Sequence, residues 1–196
     1  LEAGRAVILP TETVYGIFAK ALNQEAVDYI YELKRRPRDK ALNLNVAGEE
    51  EIRLYSKNQP GYLTKLVDSF LPGPLTIILQ ANKKVPDWIH SGLDTVGFRI
   101  PAHPKTLELI RKYGPLVGPS ANLSGHASGI KYKAIVSEFD QVVPGIEDDD
   151  FLTGQDSTIL DISSSKSRIL RQGSITKADL LAQVPELSFE EDELPQ

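Results

Sequence analysis

The sequence predicts one mixed α/β (α+β) domain, and three observations carry that prediction. Short apolar runs with strand character alternate with segments of helical periodicity along the whole chain. The intervals between them are too irregular for a pure strand–helix–strand array, which implies a mixed parallel and antiparallel sheet. The length, 196 residues, suits about one domain, and no repeat of fixed period divides it.

The elements follow in order. Leu1 to Gly4 reads as a helix end with Gly4 as its cap, so a preceding segment is expected; no signal peptide is legible. Arg5 to Leu9 is a buried-strand run that stops at Pro10-Thr11-Glu12-Thr13. Asn23 to Arg35 places Ala26, Val27, Ile30 and Leu33 on one helical face, with Asn23 as N-cap and Pro37 as the stop. Leu42 to Ala47 alternates as a strand, and Gln59 to Phe70 is a helix broken by Pro72-Gly73-Pro74. Leu75 to Ala81 and Thr95 to Ile100 are strands. Pro104 to Tyr113 is a helix with proline in its first turn, and Leu116-Val117 is a short strand. Lys131 to Phe139 is a short helix, and Ser157 to Ile162 and Arg168 to Arg171 are late strands. Thr176 to Val184 is a last helix with Thr176 and Asp179 in capping-box spacing. The domain is expected to span 1–184, with 185–196 as an acidic, flexible tail.

Composition removes several function classes. Without cysteine there is no disulfide framework, thiolate metal site, iron–sulfur cluster or cysteine nucleophile. The three histidines, His90, His103 and His126, are far apart and not in metal-ligand spacing. No apolar run approaches the roughly 18 residues of a membrane span, so no membrane contact is expected. The net charge of −5 argues against a whole-surface polyanion binder. Positive charge is local instead: Lys34 to Lys40 holds five cations and one anion, which suits a small anion better than a long nucleic acid.

Strand ends deliver the polar candidates, as they do in open α/β sheets. They are Thr11, Glu12 and Thr13; Arg99; Ser120, Asn122 and Ser124; Ser157 and Thr158; and Arg171. Hydroxyls, an amide and guanidinium forks are donors for phosphate and carboxylate oxygens. Each has a plain structural alternative. The basic run can serve as a helix C-terminus with a solvated face, and Ser120 to Gly125 as an ordinary turn. Arg99, amid an apolar strand, either pairs with an internal carboxylate or awaits an anionic ligand. Glu147 to Asp150 reads as a solvated loop before it reads as a magnesium site. No P-loop, dinucleotide fingerprint or Ser-His-Asp set is legible. The residues alone reach an anion-lined site with nucleotide chemistry favoured, and not a reaction.

Seven motifs then occur in a familiar order: Pro10 to Gly16 (PTETVYG), Lys34 to Pro37, Pro72 to Thr76, Arg99 to Pro104, Pro119 to Gly125, Ser157 to Asp161 and Ile169 to Gly173. In this order they resemble the YrdC family of threonylcarbamoyl-AMP synthases, over about residues 4 to 183. The resemblance implies a YrdC-like fold around a basic cavity. It also implies condensation of L-threonine, bicarbonate and ATP to threonylcarbamoyl-AMP and pyrophosphate, with magnesium on the ATP and no covalent nucleophile. By motif, Thr13, Arg99, Ser157 and Asn45 are expected at threonine. Lys34, Arg36, Lys40, Thr95, Ser120, Asn122, Ser128 and Arg171 are expected at ATP. Many relatives carry asparagine, proline and histidine where Lys40, Ala41 and Asn45 sit here. The resemblance further implies a cytoplasmic, single-domain enzyme that supplies a tRNA threonylcarbamoyl transferase, with weak contact to tRNA or other RNA allowed. The competing reading is a non-catalytic RNA-binding module that uses the same basic cavity.

Overall fold

The structure is a computed structural model that describes residues 1–127, 129–140 and 143–190. Nine strands form one mixed sheet among the described residues. Its order is β1 (Val7–Leu9), β2 (Gly16–Lys20), β7 (Leu116–Val117), β3 (Leu44–Asn45), β6 (Thr95–Arg99), β5 (Leu75–Ala81), β8 (Thr158–Asp161) and β9 (Arg168–Arg171). β4 (Ser56–Lys57) pairs with the end of β5. Only β3–β6 and β5–β8 are parallel, and the other pairs are antiparallel, which gives the mixed sheet the irregular spacing implied.

Period-two alternation decides which face each side chain meets. Leu44, Leu75, Ile77, Phe98 and Leu160 enter the main core. Their neighbours in the chain, Asn45, Thr76, Arg99 and Ile159, therefore face the other side of the sheet. At the β1–β2–β7 end that second face is closed by a smaller apolar cluster of Leu9, Phe18 and Leu116 with Ile110 of α5 (Pro104–Tyr113). Between α5 and β9 it carries Asn45, Thr76 and Arg99, which line a cleft.

The helices start and stop for local reasons. The Asn23 side chain accepts from Ala26 N–H and caps α1 (Gln24–Lys34), whose Ala26, Val27 and Ile30 are buried. Arg35 ends α1 in the left-handed conformation, at φ 50°. The Arg36 N–H then returns to the Tyr31 carbonyl, and Pro37 follows. α7 (Lys177–Gln183) carries the capping box between Thr176 and Asp179. α3 (Leu63–Phe70) buries Leu63, Leu66 and Val67, and α6 (Tyr132–Glu138) buries Ile135.

Several features depart from the sequence reading. No element is expected at β2, at α2 (Glu49–Tyr55), at β4 or at α4 (Asp87–His90), yet all four form. β2 is legible only as the partner of β1. α2 has just Ile52 and Tyr55 buried, too few positions to show a period. The residues at Gly4 form a turn closed by its N–H on the Leu1 carbonyl. The segment from Pro185, expected to fray, is held as far as Glu190. Leu187 is buried, the Ser167 N–H donates to the Ser188 carbonyl, and the Glu190 N–H donates to the Ser167 carbonyl. Leu187 and Phe189 supply the apolar surface that an acidic composition hides. Residues 191–196, the rest of the expected tail, lie outside the described residues.

One contact joins the late strands to the site. An added Cβ at Gly173 would lie 2.5 Å from the Asp156 carbonyl oxygen and 2.6 Å from the Thr158 nitrogen. Gly173→Ala is expected to cost about 1–3 kcal/mol by overpacking, read as a lower urea midpoint with an unchanged slope. An unshifted midpoint would show that the β8–β9 approach has slack.

Candidate active site

The polar stretch of the sheet's second face is a cleft of about 180 Å³. Arg99 stands at the end of β6, beside Asn45 of β3 and Thr76 of β5, and all three line the cleft. An added Cβ at Gly97, two residues back on the same strand face, would meet Asn43 Oδ1 at 2.2 Å. Glycine there lets the Asn43 amide, another lining group, close over the strand.

The Arg99 side chain is only 12% exposed. Its guanidinium pairs with the Glu12 carboxylate through Nη2. Nη1 donates to Thr13 Oγ1 at 3.1 Å, and Nη2 donates to the Gly73 carbonyl at 3.4 Å. Nε is buried without a hydrogen-bond partner. The other Glu12 oxygen accepts from the Ala102 N–H at 2.6 Å, so Glu12 is held from two sides. Burial first, and then the nearby Arg171 charge, push the Arg99 guanidinium down to about 10, while Asp156 works the other way. It remains a cation at neutral pH. Of the two alternatives for this arginine, an internal carboxylate and an open donor, the structure contains both.

Arg171, in β9, approaches from the other side. Its Nε donates to the Ser157 carbonyl at 2.9 Å and its Nη2 to Ser157 Oγ at 3.1 Å. Ser157 Oγ lies 2.7 Å from Thr76 Oγ1. Opposite them is the Pro10–Tyr15 loop. The segment 153–157, just before β8, is fixed against it, because Thr153 and Gly154 donate their N–H groups to the Glu12 and Thr13 carbonyls. That pinning brings Asp156 and Ser157 to the cleft.

The KRR turn divides into two roles. Arg36 lines the cleft while its Nη2 donates to the Ala41 carbonyl at 2.7 Å. Lys34 does not reach the cleft. It is 2% exposed, and its ammonium donates to the Ser120 carbonyl at 2.5 Å, the Asn122 carbonyl at 2.7 Å and Asn122 Oδ1 at 3.0 Å. Burial and the Arg36 charge push it down to about 8. Asn122 is likewise occupied: its Oδ1 also accepts from Ser120 Oγ, and its Nδ2 donates to the His126 carbonyl. Ser120 reaches the cleft because Ile17 and Ala121 exchange backbone bonds with Pro119 and Tyr15.

Of the residues expected at a site, Thr13, Arg99, Ser157, Asn45, Arg36, Ser120 and Arg171 therefore meet in one cleft. Lys34 and Asn122 form a buried layer behind it. Lys40 stands exposed outside, where its carbonyl accepts from the Tyr31 hydroxyl. Thr95 lies at the opposite end of β6 from Arg99, four residues or roughly 13 Å along the strand, and pairs with Gln80. Facing the same side is not enough to reach the site. Ser128 falls outside the described residues.

The sequence reading missed Asn43, Thr76 and Asp156 as lining groups, although the Thr76 motif carried a visible alternation of polar and apolar residues. The acidic loop is a tie rather than a metal site. The Tyr15 hydroxyl donates to Asp149 Oδ1 at 2.7 Å, and His103 Nε2 meets Asp148 Oδ2 at 2.8 Å. No group of three His, Cys, Asp or Glu side chains able to hold a metal exists among the described residues.

With this geometry in place, the profile described as telomere recombination, for Sua5, YciO and YrdC proteins, matches residues 1–173. The chain belongs to the Sua5/YciO/YrdC family. A threonylcarbamoyl-AMP synthase of Pyrococcus abyssi (strain GE5 / Orsay) is 37% identical over 177 residues, which is 89% of this chain and 52% of that protein. That of Bacillus subtilis (strain 168) is 38% identical over 93% of this chain and 54% of its own length. The chain thus spans about half the length of these two relatives. A putative threonylcarbamoyl-AMP synthase of Methanocaldococcus jannaschii is 38% identical, over 88% of this chain and 81% of that one. Among solved structures, P. abyssi Sua5 complexed with L-threonine superposes with a TM-score of 0.86 at 34% identity, over 96% of this chain and 56% of that one.

Within this YrdC-type domain, the Lys34 ammonium ties α1 to the Ser120–Asn122 turn. Lys34→Met keeps the length of the side chain and takes one donor from each of three acceptors; Asn122 Oδ1 keeps Ser120 Oγ and the Ser120 carbonyl keeps the Asn122 N–H, while the Asn122 carbonyl loses its donor. A loss of about 1–3 kcal/mol is expected, read by thermal or urea unfolding. Unchanged stability would remove Lys34 from the framework and return it to the ligand side.

Proposed function

We propose that this domain condenses L-threonine, bicarbonate and ATP into threonylcarbamoyl-AMP and pyrophosphate. The observation that carries the reading is the pair of guanidiniums, Arg99 and Arg171, facing one hydroxyl-lined cleft, with the Arg99 Nε donor unmatched. Family membership and the names of the relatives support the same reaction.

In this reading the threonine amine first takes up bicarbonate carbon as a carbamate and water leaves. A carbamate oxygen then attacks the α-phosphorus of ATP, and pyrophosphate departs with the electron pair of the broken P–O bond. Two anionic partners must meet, and a cationic cleft offsets their repulsion. Arg99 takes the threonine carboxylate, with Thr13, Ser157 and Asn45 around the rest of the amino acid. Arg36, Ser120 and Arg171 serve the nucleotide. Lys34 and Asn122 act behind them, through the position of Ser120. Magnesium enters as part of the MgATP substrate; Asp156 is the one carboxylate among the described residues that line the cleft, and Glu12, behind Arg99, is already paired. The product, a mixed anhydride, suits a transferase acting on tRNA, and a reaction that uses ATP and serves tRNA fits the cytoplasm. No helix among the described residues is long and apolar enough to cross a membrane. A non-catalytic RNA-binding role is less favoured, because Arg38 of the basic turn is engaged by Asp28 and stacked over Tyr31.

Pyrophosphate release from wild-type protein is expected only with ATP, magnesium, bicarbonate and L-threonine all present. Release without threonine would assign another adenylyl acceptor. Arg99→Gln, made together with Glu12→Gln so that no buried charge is left alone, should raise KM for threonine roughly 10- to 100-fold, the value of a charge-assisted hydrogen bond. An unchanged threonine KM would take Arg99 out of the site.

A further inference from the structure

The hydroxyl pair at the base of the Pro10–Tyr15 loop has a proton order that can be counted. Thr11 and Thr13 are 3% and 2% exposed and touch only the cleft, so the protein sets most of their hydrogen bonds. A threonine hydroxyl has one proton to donate and two lone pairs to accept with. Thr11 Oγ1 lies 2.6 Å from the Val14 carbonyl oxygen, which has no proton, so Thr11 is the donor there. The two hydroxyl oxygens are 2.9 Å apart. With the Thr11 proton engaged by Val14, the proton between them belongs to Thr13. Thr11 also accepts the Thr13 backbone N–H at 3.1 Å, which completes its capacity.

Thr13 is then left with a defined remainder. Its proton points back to Thr11, one lone pair accepts from Arg99 Nη1 at 3.1 Å, and one lone pair is free on a residue that lines the cleft. We infer that Thr11 is a positioning residue that locks the Thr13 hydroxyl as an acceptor, so that Thr13 recognises the N–H side of the amino-acid substrate. This rests on the proposed threonine chemistry and adds an orientation to it. Arg99, a pure donor, takes the carboxylate. Thr13, hydrogen-bonded to that arginine, takes the nitrogen on the adjacent carbon. An α-amino acid offers these two groups two bonds apart, and the Arg99–Thr13 contact presents an acceptor and a donor side by side. A carbamate keeps one N–H, so the same lone pair stays matched after carboxylation.

The test compares L-threonine with (R)-3-hydroxybutanoate, which is threonine without its amine, by equilibrium binding and by competition in the pyrophosphate assay. Thr11→Val keeps the shape and removes the acceptor for the Thr13 proton, which frees that hydroxyl to turn. Threonine affinity should fall at least tenfold in Thr11→Val, while (R)-3-hydroxybutanoate affinity stays within threefold and KM for ATP does not move. Thr11→Ser, which keeps the hydroxyl, should restore the preference for the amine. Equal weakening of both ligands would reduce Thr11 to a packing residue, and no change in either would show that Thr13 is not oriented by Thr11. Both results overturn the inference. A wild-type chain that binds no threonine at all would overturn the proposed function itself.

Discussion

Removing a guanidinium from water obliges its surroundings to replace that water, and Arg99 imposes this on the whole cleft. Its position at the end of β6, between β3 and β5, leaves the side chain only 12% exposed, at the cleft. Glu12, Thr13 and the Gly73 carbonyl answer it from three chain segments. Each of those segments is in turn anchored: Glu12 on the Ala102 N–H, Thr13 on Thr11, and Gly73 on the Ile100 carbonyl. The site is therefore a set of mutual constraints around one cation, and the sheet register is what brings them to the same place.

Lys34 solves a different problem with the same kind of charge. A turn such as Pro119–Asn122 exposes carbonyl oxygens, and burying it requires donors. The ammonium offers three, and it finds three acceptors. An arginine fork would not match oxygens that converge on a point. Two residues later the chain has left the helix, and Arg36 faces the cleft. A single basic run thus supplies one group to the framework and one to the ligand side, and the left-handed Arg35 between them makes the division possible.

Much of this was legible in the sequence, and what was not has physical reasons. β5, α5, β7 and β9 have the expected bounds because each is a periodic run closed by proline, glycine or a charged turn. The cleft's cations and hydroxyls were also legible, since strand ends are where a sheet places exposed polar groups. The second layer was not. Lys34 ends the buried face of α1 and Arg36 lies beyond the helix, but only the distant Ser120 and Asn122 carbonyls show that the lysine is spent on the framework. Thr95 looked equivalent to Arg99 because alternation reports the face of a strand and is silent about the distance along it. Glu12 as the arginine's partner required β1 and β6 to be known as neighbours of one cleft, which no pattern within either strand encodes.

The lining also bears on the order of charge in the proposed reaction. Threonine enters as a zwitterion with no net charge, and its carbamate is more negative than the free amine. A cleft lined by three guanidiniums, Arg36, Arg99 and Arg171, with Glu12 answering only one edge of Arg99, stabilises the carboxylated form more than the amine. Hydroxyls can follow that change, because an acceptor lone pair serves both an amine and a carbamate N–H. A lining carboxylate in place of Thr13 would have held the ammonium form and opposed the first step. The choice of small neutral hydroxyls beside buried cations is thus the combination that lets the ligand gain negative charge without the protein changing its own.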